Sequence, residues 1–138
     1  MTPKGTMYRG SCLCGAVHYQ VRGTIGPMAN CYCTDCQKSH GAAFASYIDV
    51  PRDGFAFLKG ANHVHTYKAA SDTKRSFCRT CGSIVICWAE ADNYVGISAA
   101  TLDTPIALTP AYHCFVRSKP SWYEILDSAP QYERSNSA

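Results

Sequence analysis

The stretch Cys31-Tyr32-Cys33-Thr34-Asp35-Cys36 places three thiols within six residues. If residues 31–33 are extended, side chains alternate and Cys31 and Cys33 share a face. Thr34 and Asp35 then give enough turn for Cys36 to fold back beside them. All three sulfurs can therefore meet one ion. Three local ligands leave a fourth tetrahedral position unfilled by this segment, and an open position is what separates a catalytic zinc from a structural one. The segment reads either as an open site or as part of a closed one completed from elsewhere.

Two thiol pairs lie on either side of it, Cys12/Cys14 and Cys78/Cys81. Cys78-Arg79-Thr80-Cys81-Gly82 has the form of a zinc knuckle, in which a tight turn points backbone N–H groups at sulfur and Gly permits a positive φ. The nine cysteines are an odd number, and the opening MTPKGTMYRG lacks the apolar core of a signal peptide. A cytoplasmic chain is expected, where clustered cysteines are metal ligands in preference to disulfides. Cys87 and Cys114 stand alone and read as small hydrophobes. Ligand counting favours pairing Cys12/Cys14 with Cys78/Cys81 in a closed four-thiolate site, with the triple holding a second zinc. Joining one pair to the triple is the alternative, and it uses the ligands less well.

The rest of the 138-residue chain reads as one all-β domain over 8–126. Residues 1–7 are expected to be a flexible terminus, and 127–138 a polar tail that frays. Strands are expected at 8–11, 16–21, 28–31, 43–50, 54–58, 64–67, 84–88, 93–99 and 112–116, from apolar alternation or β-branched runs closed by Gly, Pro and Asn. Val17, Tyr19 and Val21 should face the core, with His18 toward solvent. Residues 68–74 read as a polar turn. A single helical turn after Thr34 is the most helix expected, and Trp122 and Tyr123 are expected to pack as a pair. No apolar run approaches a membrane span. Seven zinc-bound thiolates and two Zn²⁺ take the formal charge from +3 to zero. With no Lys/Arg run, that correction argues against a nucleic-acid partner.

Three ordered motifs carry a resemblance to the glutathione-dependent formaldehyde-activating enzyme family, which is related to the centromere protein V group. They are Gly10-Ser11-Cys12-Leu13-Cys14-Gly15-Ala16-Val17, the triple Cys31/Cys33/Cys36, and Phe77-Cys78-x-x-Cys81-Gly82. The closing run His113-Cys114-Phe115-Val116-Arg117-Ser118-Lys119-Pro120-Ser121-Trp122-Tyr123 is similar to the family's C-terminal pattern. The resemblance implies a β-tent fold with two zincs. Cys12, Cys14, Cys78 and Cys81 would bind the structural ion, and Cys31, Cys33 and Cys36 the catalytic one. It also implies a carbon–sulfur lyase-type activity resembling S-(hydroxymethyl)glutathione synthase, adding glutathione to formaldehyde.

The chemistry of the triple is compatible with that activity. Three thiolates donate much charge, so a zinc they held should acidify water less than one on three histidines. A sulfur-rich site suits a soft fourth ligand, such as the thiolate of glutathione or a similar thiol, poised to attack formaldehyde or another small aldehyde. The hemithioacetal product needs one proton, for which His40 and His113 are the titratable candidates. Lys38 and Arg117 could meet thiol-substrate carboxylates, although solvated surface charge is the simpler reading of both. No glutathione-binding signature is evident. A non-catalytic zinc-binding interaction module of the same fold is the alternative, and a redox sensor or zinc store a third reading.

Overall fold

The structure, a computed structural model, describes residues 6–135. Among them the chain is all-β, with one short helix. The elements in order are β1 (Met7–Ser11), β2 (His18–Arg22), β3 (Met28–Cys31), α1 (Thr34–His40), β4 (Ala45–Pro51), β5 (Phe55–Lys59), β6 (Val64–Lys68), β7 (Lys74–Cys78), β8 (Ile84–Trp88), β9 (Tyr94–Ser98) and β10 (Pro110–Cys114). No helix among the described residues is long and apolar enough to cross a membrane. By compactness these residues fall into two units, 6–26 with 48–107 and 27–47 with 108–135.

In the first unit β1 and β2 form an antiparallel hairpin, and β5 pairs with the other edge of β2. The expected alternation holds. Val17, Tyr19 and Val21 are fully buried, and His18 is exposed. Tyr19 stacks on Phe55 at 5.2 Å, and its hydroxyl meets Thr101 Oγ1 at 2.7 Å. Strands β6 to β9 run antiparallel in the order β9-β8-β7-β6. Val85 and Ile97 contribute their buried faces to the core.

The strand β7 differs from expectation, because a polar turn was read up to residue 74. Its opening residues Lys74-Arg75-Ser76 carry no hydrophobic signal, yet Arg75 and Ser76 are buried. Pairing on both edges satisfies the backbone. The Ser76 hydroxyl lies 2.9 Å from Thr66 Oγ1 and accepts the Trp88 Nε1–H at 3.0 Å. Partners three strands wide thus make a polar segment into a central strand.

In the second unit the strand order is β10-β3-β4. Here β10 and β3 run parallel, with Cys114 opposite Cys31. The helix α1 extends the single turn expected after Thr34 to seven residues. Cys33 caps its start by accepting the Cys36 N–H, and Gly41 closes its end in a left-handed conformation. Tyr32 packs against both Phe44 and Tyr123, at ring separations of 5.1 and 6.1 Å, and those two rings also meet each other at 5.4 Å. Tyr123 therefore packs as expected, whereas Trp122 is 75% exposed and does not pair with it.

Met7 opens β1, and the Thr6 carbonyl accepts the Gly23 N–H at 3.1 Å. Residues 1–5 and 136–138, included in the expected flexible terminus and polar tail, lie outside the described residues. Past Asp127 the backbone is hydrogen-bonded to β10 and the residues after it as far as Arg134. Pro130, Tyr132 and Arg134 carbonyls accept N–H groups from His113, Val116 and Phe115, and Tyr132 donates back to His113. The tail is polar in its side chains, but its backbone is used as a strand edge would be.

Candidate metal centres

The four-thiol cluster is built from two tight turns within the first unit. Cys12-Leu13-Cys14 ends in Gly15 and Cys78-Arg79-Thr80-Cys81 ends in Gly82, and both glycines have φ of 81°. That left-handed conformation is costly for a residue with a Cβ. It lets the Gly15 and Gly82 N–H groups turn back to the Cys12 and Cys78 carbonyls at 3.1 and 2.7 Å.

The sulfurs of all four cysteines lie within 4.8 Å of one another. Cys12–Cys14 is 3.7 Å and Cys14–Cys78 is 3.8 Å. A tetrahedron of thiolates at about 2.3 Å from zinc has edges of about 3.8 Å. Those two separations match such an edge.

Hydrogen bonds to sulfur prepare this cluster for negative charge. Cys12 is buried, which raises its thiol, but the Val17 N–H at 3.3 Å, with the Cys14 and Cys78 thiols, brings it below its ordinary range. The Ser83 hydroxyl at 3.2 Å and the Ser83 N–H hold Cys81 down at about 5. Cys14 takes the opposite role. The Ala16 N–H pulls it down, but burial and the surrounding thiols push it up to about 11. Ser83 Oγ also accepts the Leu13 N–H at 3.0 Å, which links one turn to the other.

The three-thiol cluster lies wholly within the second unit. Its sulfurs, from Cys31, Cys33 and Cys36, again lie within 4.8 Å of one another. Period-2 alternation does what the sequence suggested. Met28, Asn30 and Tyr32 are buried on one face, while Cys31 and Cys33 are half-buried on the other. Cys36, in the first turn of α1, returns to them and donates its N–H to Cys33 Sγ at 3.3 Å. Gln37 pins the helix by donating to the Tyr32 and Ser118 carbonyls at 2.6 and 2.8 Å. The Cys31 thiol is raised, first by Cys114 and then by Cys33 and Cys36. Crowded sulfurs cannot all carry charge without a cation among them.

The two histidines sit differently. His113 is 1% exposed, with Nδ1 3.0 Å from the Tyr32 hydroxyl and Nε2 2.9 and 3.1 Å from the Asp127 carboxylate. The carboxylate only accepts, so Nε2 carries the hydrogen and, in the neutral ring, Nδ1 accepts the Tyr32 O–H. His113 holds Asp127 below the usual carboxylate range, and burial pushes Tyr32 up to about 12. No nitrogen of His113 is left to face a substrate. His40, at the end of α1, is half-buried, with Nε2 2.7 Å from the Tyr47 hydroxyl. Lys38 and Arg117 are both exposed.

Sequence reasoning missed Asp127 as the partner of His113, and Tyr32 as the buried hinge between two cysteines. It also took Cys114 for a lone hydrophobe, although the thiol stands within hydrogen-bonding reach of Cys31. The available signal was the period of the His113-Cys114 pair, which puts one residue on each face of a strand.

A family model described as "Glutathione-dependent formaldehyde-activating enzyme" matches residues 7–118. A relative from Halomonas elongata, described as an enzyme of the same kind, is 30% identical over 131 residues, covering 86% of this chain and 81% of its own. A crystal structure of a Rhodobacter sphaeroides protein superposes with a TM-score of 0.60 over 72% of this chain and 91% of its own. At 23% identity, that likeness concerns the fold.

Proposed function

The chain belongs to the glutathione-dependent formaldehyde-activating enzyme family, and we propose that it joins a thiol, glutathione or a close analogue, to formaldehyde or another small aldehyde. The observation that carries this reading is the three-thiol cluster: three sulfurs within 4.8 Å of one another, all from one short segment, in a grouping distinct from that of the other four thiols. We assign Cys12, Cys14, Cys78 and Cys81 to a structural zinc and Cys31, Cys33 and Cys36 to a catalytic one. When bound at the triple, zinc supplies a centre that acidifies a thiol and orients its sulfur toward the aldehyde carbon.

The protein's own groups prepare that event. The Cys36 N–H steadies Cys33, and Gln37 fixes α1 against the carbonyls of Tyr32 and Ser118. Tyr32, His113 and Asp127 tie β3 to β10 and to the tail, so we assign His113 a positioning role in place of proton donation. The reaction forms one carbon–sulfur bond and turns the carbonyl into a hydroxyl, which needs one proton. His40, linked to Tyr47, is the histidine we retain for that transfer. None of the nine cysteines forms a disulfide, which suits the reducing cytoplasm we propose as its location.

The test compares zinc content and adduct formation for the wild type and Cys33→Ala, against the spontaneous reaction without protein. The reading requires loss of about one zinc and all catalysed turnover with the fold kept. Adduct formation by the wild type no faster than the protein-free rate would refute it and favour a zinc-binding interaction module.

A further inference from the structure

Cys114 occupies a place that neither the four-thiol nor the three-thiol grouping includes. It lies opposite Cys31 in the parallel pairing of β10 with β3, and the Tyr32 N–H donates to its carbonyl at 2.9 Å, fixing that register. Partners in register present their side chains on the same face. The alternation is anchored from behind. Tyr32 and His113 meet on the buried face, so their neighbours Cys31, Cys33 and Cys114 turn to the other. The Cys114 thiol is within hydrogen-bonding reach of Cys31, yet not within 4.8 Å of all three sulfurs. It is half-buried, as Cys31 and Cys33 are.

We propose that Cys114 is the exchangeable fourth ligand of the metal held by Cys31, Cys33 and Cys36, bound at rest and released when a substrate thiol takes its place. This rests on the assignment of the triple as a metal site. The geometry suits a ligand of this kind. Three sulfurs are already gathered from a short, hydrogen-bonded segment, whereas the fourth comes from another strand and must swing inward to complete the tetrahedron. A thiolate that has to reach is the one most easily exchanged.

The exchange balances without an oxidant. The metal–sulfur bond to Cys114 breaks as the bond to the incoming sulfur forms. The proton of the incoming thiol passes to the Cys114 sulfur, and the charge on the site is unchanged. Cys114 then stands beside the bound thiol as a neutral S–H.

The test uses Co²⁺ in the full chain, because thiolate-to-cobalt charge-transfer absorption counts sulfur ligands, and iodoacetamide as a probe of Cys114. The wild type should bind two cobalt ions. In Cys114→Ser the charge-transfer absorption of the second ion should fall by about a quarter, as a site of four sulfurs becomes one of three. Added glutathione should restore that loss in the variant. In the zinc-loaded wild type, mass spectrometry should find Cys114 resistant to iodoacetamide alone and alkylated once glutathione is present.

The failures are distinguishable. Binding of a single cobalt, unaltered by Cys33→Ala, removes the metal site itself and this inference with it. Two cobalt ions with the same spectrum in Cys114→Ser leave the site standing and overturn the ligand role. A reduced spectrum with Cys114 still protected under saturating glutathione overturns exchange, and leaves a closed site of the interaction-module kind.

Discussion

The four-thiol cluster draws its ligands from two turns 64 positions apart, whereas the three-thiol cluster draws its own from six consecutive residues. Their electrostatic preparation differs as well. Around the first, N–H and hydroxyl donors from Val17 and Ser83 hold two of the thiols toward the thiolate form. Around the second, Cys114 and its neighbours hold Cys31 toward the neutral thiol. A cluster that closes a long loop and is met by donors has the design of a clamp. A local cluster in which Cys31 is held toward the neutral thiol is better suited to exchanging what it holds.

The largest effect should come from breaking the clamp. Cys78→Ala removes a fully buried thiol of the four-thiol cluster and is expected to cost soluble protein, or to lower the melting temperature by more than about 10 °C. Structural zinc is worth ~10 kcal/mol or more in zinc-finger peptides, a figure that the larger core here should reduce. Unchanged melting and zinc content in Cys78→Ala would break the comparison.

Cys33→Ala is expected to remove about one zinc and the catalysed rate while moving the melting temperature by less than about 5 °C, since a local ligand set closes little chain entropy. Metal analysis and a thermal melt on the same sample check both halves.

His113→Ala comes third. It leaves the buried Tyr32 hydroxyl without its acceptor and opens a cavity, which should cost about 2–4 kcal/mol by denaturant titration. The zinc of the four-thiol cluster should be retained. If both zincs were lost together, the independence of the two clusters would fall.

The smallest effect is predicted at Asp49, in the unit that holds the clamp. Burial, and then the charge of Asp92, push its carboxyl from 3.8 up to about 6. The fold therefore prefers the protonated acid. The penalty is absent below about pH 4, grows between pH 4 and 6, and is complete above that. Asp49→Asn should stabilise the protein by about 1 kcal/mol at pH 7.5, a value discounted for partial exposure, with no gain at pH 4. Thermal melts at the two pH values test the sign. The rate of adduct formation should not change, which would sharpen the separation between holding and reacting.

Much of this was legible in the sequence because it is local. Spacing alone grouped Cys31, Cys33 and Cys36, and the glycine after Cys81 announced the turn it closes. Alternation placed Val17, Tyr19 and Val21 inward. What escaped the reading depends on distant partners. β7 is a strand because β6 and β8 flank it, in spite of the polarity of Lys74-Arg75-Ser76. The pairing of His113 with Asp127 depends on a tail whose composition suggests only solvent. Cys114 looks solitary along the chain and ceases to be so only when β10 lies parallel to β3. Local chemistry is written in spacing; long-range chemistry is set by which strands become neighbours.

The separation of the clusters along the chain also has a consequence for biosynthesis. A ribosome delivers Cys36 before Cys78 and Cys81, and at about 5–20 residues per second the interval lasts a few seconds. During that time the nascent chain already carries all three thiols of the Cys31/Cys33/Cys36 cluster, while the four-thiol cluster still lacks half of its own. Cys114 emerges last. Metal capture at the triple should therefore precede the closure of the fold around it, and a cell short of zinc would produce chains charged at the triple before they are clamped.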